Sequence, residues 1–378
     1  MRIPFCDIHI ERFFYRYQRG QAPLDLALAD YFRENKALGS KDRKEIGDTI
    51  YGMVRWQSLL DLACPPTSPF FRRLAFYKNE EFSLLQKNLS APLAARLGCP
   101  EWLLKRLIQE YGKEKGIELA STLNTEASLT IRVNPLKITR EELFRRWKNQ
   151  FPIALCEKAP FGIRFAKRIP VFSFPEFKEG LFEVQDEGSQ LLAQEVQAKP
   201  GDLVLDFCSG SGGKTLAFAH QMEGKGQIYL HDIRPSALAQ AKKRLRRAGI
   251  QNVQFLEPGH IQLKKLKNKC DWVLIDLPCS GTGTFRRNPD QKWRLNEEMV
   301  SRLVLQQREI ALEAISYLKT GGHLVYATCS LLRDENESQI EFLLKSTPLT
   351  LVKDSLTLPP EIGGMDGFFV TTFKKIAQ

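Results

Sequence analysis

The sequence predicts an α/β protein in which residues 181–378 form a doubly wound, largely parallel sheet, preceded by an all-α domain over residues 1–90 and a basic, mixed α/β segment over residues 91–180. Three observations carry this reading. Apolar strand-like runs alternate with helical runs throughout 181–378. Apolar residues recur at helical spacing in the first 90 residues. Between the two, an alternating run at 128–133 stands among helix starts and clustered prolines.

In the first region, Leu24, Leu26, Ala27, Leu28, Tyr31 and Phe32 lie near helical period. Ser40 is the expected N-cap of a helix bearing Ile46, Ile50, Met53 and Val54. In the second, Pro100 opens a helix at Glu101, Thr139 opens another, and the alternation of 128–133 marks a strand. Prolines between 152 and 175 mark loops and a boundary. In the third, strands are expected at 203–207, 227–231, 253–256, 272–276 and 323–327, with helices such as 236–248 and 300–318 between them. Sheets of this kind bind ligands at the carboxyl ends of their strands, so functional residues are sought there.

A length of 378 residues suits two or three domains. No run of about 18 apolar residues suggests a membrane span. Residues 1–12 lack a basic-then-apolar signal pattern, so a cytoplasmic location is expected. The eight cysteines form no C-x-x-C pair and only five histidines are present, which excludes zinc-site spacing; no metal is expected. Most of the cysteines read as apolar filler. The net charge of +11 is densest in 91–180, with 16 basic against 10 acidic residues. A polyanionic partner follows, RNA or DNA ahead of membrane. Lys242-Lys243-Arg244 and Arg246-Arg247 read as a solvated helix face.

The end of the first strand runs into Cys208-Ser209-Gly210-Ser211-Gly212-Gly213-Lys214 and a helix start. Glycines permit close backbone approach, and a helix N-terminus favours negative groups. A phosphate-binding P-loop is excluded, because its first glycine position holds Cys208. The spacing of a dinucleotide fingerprint is also wrong, which leaves another cofactor loop or a plain tight turn. Asp232 ends the second strand, where an acidic residue commonly binds ribose hydroxyls. Two later strands each deliver a cysteine, in Asp276-Leu277-Pro278-Cys279 and in Thr328-Cys329-Ser330. Packing and chemistry both remain open for a cysteine so placed.

Together these motifs resemble the Sun-type RNA cytosine-5 methyltransferases, the family that includes bacterial small-subunit (16S) ribosomal RNA methyltransferase B. The likeness runs through Asp276–Gly283, Arg286–Asp290 and Trp293, through Tyr326–Ser330 and Glu335-Asn336-Glu337, and through Glu183–Gln190 and Asp366–Phe369, covering about residues 95–378. It implies a Rossmann-like, S-adenosylmethionine-dependent methyltransferase domain. It also implies site roles: Cys329 as nucleophile at carbon 6 of cytosine, Cys279 in breakdown of the covalent adduct, Asp276 on the cytosine, and Lys214 in the active site. The loop Cys208–Lys214, with Asp232 and Asp276, would hold S-adenosylmethionine. The physical sense is that carbon 5 of cytosine is a poor nucleophile until a thiolate adds at carbon 6, and that the base must leave its stack to reach the pocket.

The N-terminal helices are similar, through Leu38–Arg43 and Tyr51–Arg55, to an antitermination-factor-like RNA-binding domain, here shortened. The resemblance implies ribosomal RNA as partner first and transfer RNA second; a monomer is the default expectation for a protein that docks on a large RNA. Two departures are visible. The family loop Cys-Ala-Ala-Pro-Gly-Gly-Lys has Ser211 in place of its proline, and no aspartate aligns with the family's aspartate after the third strand, where Leu256-Glu257-Pro258 stands, so that adenine recognition either uses Glu257 or differs. A non-catalytic RNA-binding assembly factor and a DNA methyltransferase are the competing readings.

Overall fold

A computed structural model describes residues 3–17 and 22–377. The chain divides into two compact units. One runs to Glu126 and also takes in Thr284–Glu297; the other comprises Ala127–Gly283 and the chain from Glu298 onward.

The first unit is helical, from Phe5–Arg16 and Leu24–Glu34 through Ser40–Arg55 to Glu101–Tyr111 and Lys113–Leu123. Ile10, Phe13, Leu24, Leu28, Ile46, Ile50, Met53 and Leu59 fill its core, at the helical spacing seen in the sequence. Ser40 is the first helical residue rather than the N-cap. The cap position is Gly39, whose amide donates to the Asp42 carboxylate at 3.0 Å. The segment Thr284–Glu297 is tied in by polar contacts. Lys292 Nζ donates to the Arg55 carbonyl (2.9 Å) and to Asn124 Oδ1 (2.5 Å), Trp293 Nε1 donates to the Val54 carbonyl (2.7 Å), and Asp290 accepts from the Leu24 amide (3.2 Å). A buried ammonium is costly unless its donors are met, and burial holds the pKa of Lys292 well below its ordinary value.

The second unit contains two sheets. In the smaller, β1 (Leu129–Val133), β2 (Ile153–Leu155), β3 (Gly162–Phe165) and β4 (Phe182–Val184) are ordered β2-β3-β1-β4, all antiparallel. The helix Arg140–Trp147 is capped by Thr139 Oγ1, which accepts from the Glu142 amide, and lays Leu143 and Trp147 on the core.

The larger sheet contains β5 (Leu203–Asp206), β6 (Gln227–His231), β7 (Val253–Leu256), β8 (Cys270–Asp276), β9 (Leu318–Thr328), β10 (Leu349–Leu351), β11 (Leu356–Leu358) and β12 (Phe368–Lys375). Its order is β10-β12-β9-β8-β5-β6-β7, with β11 on β12. Strands β5 to β9 are parallel, β12 lies antiparallel to β9, and β10 forms that edge antiparallel to β12. Alternate residues serve opposite faces: Val204 and Leu274 enter one core with Phe218, Leu238 and Leu245, while Leu205, Val273 and Ile275 enter another with Ala311, Ile315 and Phe369. From β5 the chain steps outward to β6 and β7, then crosses back to β8 and β9. The order therefore reverses between β5 and β8, which opens a crevice at their carboxyl ends. The doubly wound α/β fold expected from the alternation is thus found. Among the described residues no helix is long and apolar enough to cross a membrane.

Candidate active site

At that crevice, β5, β8 and β9 end side by side, with Asp206 paired to Leu274 and Asp276 to Ala327. Beyond Asp276 the chain is held by the Leu277 amide on the Ala327 carbonyl (3.0 Å), and further on by the Gly283 amide on the Cys329 carbonyl (2.9 Å). Gly283 has no room for a side chain, since a Cβ would lie 2.2 Å from the Gly367 carbonyl oxygen. So pinned, the two loops bring Cys279 and Cys329 together, with their sulfurs 3.3 Å apart. Cys208, Cys279 and Cys329 are half-buried, whereas the other five cysteines are buried filler.

Lys214, in the first turn of the helix Gly213–Phe218, donates to Asp276 Oδ2. Burial alone would lower its pKa, but the Asp276 carboxylate, its hydrogen bond and the nearby Cys329 sulfur outweigh it, and the net shift is upward. Lys214 is therefore an ammonium within electrostatic reach of Cys329. The Cys279 thiol is pushed well above its ordinary pKa by its hydrogen bond to Cys329, by burial and by the Glu335 charge, so it keeps its proton.

The loop after β5 turns through positive φ at Gly210 (53°) and Gly212 (75°). Asp232 Oδ2 accepts from the Gly210 amide at 2.8 Å, and its other oxygen accepts from the Arg234 amide at 2.9 Å. Burial would raise the Asp232 pKa, but the Arg234 guanidinium, which donates to Oδ1 at 3.1 Å, together with these two amides outweighs it and the net shift is downward. Cys208 turns its side chain into the core beneath the sheet, so only its backbone is on the loop. Ser211 takes two bonds from Arg244 Nη1, on its carbonyl (2.9 Å) and on its Oγ (2.6 Å). Arg244 and Arg247 also pair with the buried Glu183. They are half-buried and are not the solvated face that the charge run suggested. On the other side of the loop, Gln185 Nε2 donates to the Gly213 carbonyl (3.1 Å) and Gln185 Oε1 accepts from the buried Arg132 (2.8 Å).

Asp206 was not singled out from the sequence. Thr215 donates to its Oδ2 at 2.6 Å, and burial pushes its carboxyl up to about 7 against that bond. Asp206 Oδ1 and Ser209 Oγ are buried without a hydrogen-bond partner in the protein, and the position of a Cβ on Gly213 is open. Unmet polar atoms beside a glycine-opened turn fit a polar, adenosine-type ligand seated on the loop. Glu257 is exposed just past β7.

A Rossmann-like sheet with a glycine-rich loop after β5 and two cysteines at the ends of β8 and β9 defines a methyltransferase fold with a thiol site. Comparison with known proteins narrows this. The profile of the 16S rRNA methyltransferase RsmB/F family matches residues 193–374, and that of the RsmF/B-like ferredoxin-like domain matches residues 99–172. A probable ribosomal RNA small subunit methyltransferase B of Synechocystis is 32% identical over 303 residues, 75% of this chain and 68% of that protein. The 28S rRNA (cytosine-C(5))-methyltransferase of Mus musculus is 29% identical over 79% of this chain and 41% of its own length. The crystal structure of PH0851 shares the fold, with a TM-score of 0.82 at 24% identity, covering 99% of this chain and all of that one. The chain belongs to the RsmB/F family of methyltransferases.

Proposed function

We propose that the protein methylates carbon 5 of a cytosine in RNA, most directly small-subunit ribosomal RNA, using S-adenosylmethionine and a covalent cysteine–cytosine adduct. The observation that carries this reading is the meeting of Cys279 and Cys329 at 3.3 Å beside the Lys214–Asp276 pair. The names of the relatives, ribosomal RNA and cytosine-C5 methyltransferases, support the substrate.

S-adenosylmethionine supplies an electrophilic methyl group. The loop Cys208–Lys214 would cradle it through backbone groups, with Asp232 toward the ribose and Asp206 and Ser209 offering their unmet atoms. Cys329 is the nucleophile, because it lies within electrostatic reach of the Lys214 ammonium. Its addition at carbon 6 places electron density on carbon 5. Asp276 hydrogen-bonds the cytosine, and Lys214 fixes the orientation of that carboxylate. After transfer, the carbon-5 proton is lost to a base, the Cys329 sulfur leaves, and Cys279 assists that breakdown.

The test is incubation of the purified chain with labelled S-adenosylmethionine and unmodified small-subunit RNA, followed by nucleoside mass spectrometry. The account expects 5-methylcytosine in RNA. Cofactor binding without transfer to any RNA, or transfer to DNA in competition, would contradict it.

Ser211 stands where the family loop has a proline, and Arg244 supplies by two charge-assisted bonds the rigidity that the ring would give. Arg244→Ala is expected to weaken S-adenosylmethionine binding by about tenfold, the order of one charged hydrogen bond. Titration calorimetry measures this. Unchanged affinity would remove Arg244 from loop positioning.

A further inference from the structure

Glu335 lies in a short turn, Arg333–Glu335, six residues past Cys329, and is fully buried. Its carboxylate receives four donors. Oε1 accepts from the Ser280 amide (2.8 Å) and from Gln307 Nε2 (2.9 Å), and Oε2 accepts from the Ser280 and Ser330 hydroxyls (2.5 Å each). Ser280 follows Cys279 in the chain, and Ser330 follows Cys329. Gln307 also donates to the Pro278 carbonyl at 3.0 Å, so both neighbours of Cys279 are gathered onto this group. Gln307 is itself oriented by Gln339, which donates to its Oε1 at 2.9 Å. The Glu335 carbonyl accepts from the Tyr326 hydroxyl at 2.6 Å, fixing the turn to β9.

An ionised carboxylate away from water is costly, and apolar side chains would fill the same space more cheaply. What the carboxylate does that an apolar group cannot is bind donors from two loops at once. We propose that Glu335 is a positioning residue of the methyl-transfer site: it joins the Cys279 and Cys329 loops so that their sulfurs meet, and it sets a fixed negative charge beside Cys279. The proposal rests on the reading of these cysteines as the reactive pair, but its test does not need RNA.

The charge has a direction of effect. Around Cys279 stand Cys329, Glu335 and the Tyr326 phenol, with Lys214 and Asp276 on the Cys329 side and Arg308 beyond Tyr326. The hydrogen bond to Cys329 and burial are the larger causes opposing ionisation of Cys279, and the Glu335 charge adds to them in the same direction. The two cysteines are thereby made unlike: Lys214 is turned to Cys329 and Glu335 to Cys279.

Geometry and charge can be separated by two variants of the full chain. In Glu335→Gln the amide oxygen can accept from the Ser280 amide and Gln307, while the amide nitrogen donates to the two serine hydroxyls, which can rotate to accept. This variant keeps the joint and removes the charge. Glu335→Ala removes both. Two readouts apply to the purified protein: the rate at which diamide, which takes up the two thiol hydrogens, links Cys279 to Cys329, and the pH profile of iodoacetamide alkylation at each cysteine by peptide mass spectrometry. Glu335→Gln is expected to cross-link at no less than the parent rate and to alkylate Cys279 roughly three- to tenfold faster at pH 8, since both reactions use the thiolate. Glu335→Ala is expected to cross-link about tenfold more slowly or worse, as the sulfurs part. If Glu335→Ala does not fold, the Ser280→Ala/Ser330→Ala variant replaces it with the same expected slowing. Cross-linking at the parent rate in the folded loss-of-joint variant overturns the positioning role, and an unchanged Cys279 profile in Glu335→Gln overturns the charge role. If instead these results hold while no RNA is methylated, the positioning stands and the proposed function fails.

Discussion

Cys329→Ala is expected to lower methyl transfer by about 10,000-fold or more, while leaving S-adenosylmethionine affinity within about twofold. Loss of a covalent nucleophile acts on that scale because no other step raises the electron density on carbon 5. Single-turnover transfer and calorimetric titration measure the two effects. The side chain is half-buried at the crevice and packs only partly against the core. Truncation should therefore cost little stability, and a folded, cofactor-binding, inactive protein is the predicted outcome. Residual activity within a hundredfold of the parent would place the nucleophile elsewhere.

Asp276→Asn is expected to lower the rate by about 100- to 1000-fold, as removal of one preorganised electrostatic group in a water-poor site does. It also strands Lys214, whose pKa is raised mainly by that carboxylate against the effect of burial. A lysine pKa that is higher in the folded state contributes stability fully below the unfolded value and loses it only as the pH climbs through the folded value. The pair is thus intact at neutral and mildly alkaline pH. Thermal melts at pH 7 should accordingly show Asp276→Asn less stable than the parent, with the gap closing as the pH rises past the ordinary lysine range. A rate within a fewfold of the parent would contradict the assignment of Asp276 to the cytosine.

Much of the site was legible because its residues lie at strand ends, and strand ends are readable from period and turn chemistry. The run into Asp276 and Cys279, the run into Cys329, and the glycine turn before Lys214 each needed only local pattern. What was not legible depends on pairs far apart in sequence. Arg244 and Arg247 sit in a charge run indistinguishable from a solvated face until Glu183, about sixty positions earlier, is set beside them. Glu335 was visible as part of a motif, but its four donors come from two loops and a helix. Cys208 reads as a loop residue, yet its side chain belongs to the core. The segment 284–297 looks continuous with the Cys279 loop, but it packs with the helical unit through Lys292 and Trp293. In each case the deciding contact is tertiary, and neither propensity nor periodicity reports it.

The most direct test of the central claim, that Cys329 attacks and Cys279 releases, is a denaturing gel of Cys279→Ala and Cys329→Ala, each incubated with S-adenosylmethionine and an RNA that the parent methylates. The account predicts a covalent protein–RNA band with Cys279→Ala, whose adduct forms but breaks down slowly, and none with Cys329→Ala. A band with Cys329→Ala instead would reverse the two roles, and no band with either would contradict a cysteine–cytosine intermediate.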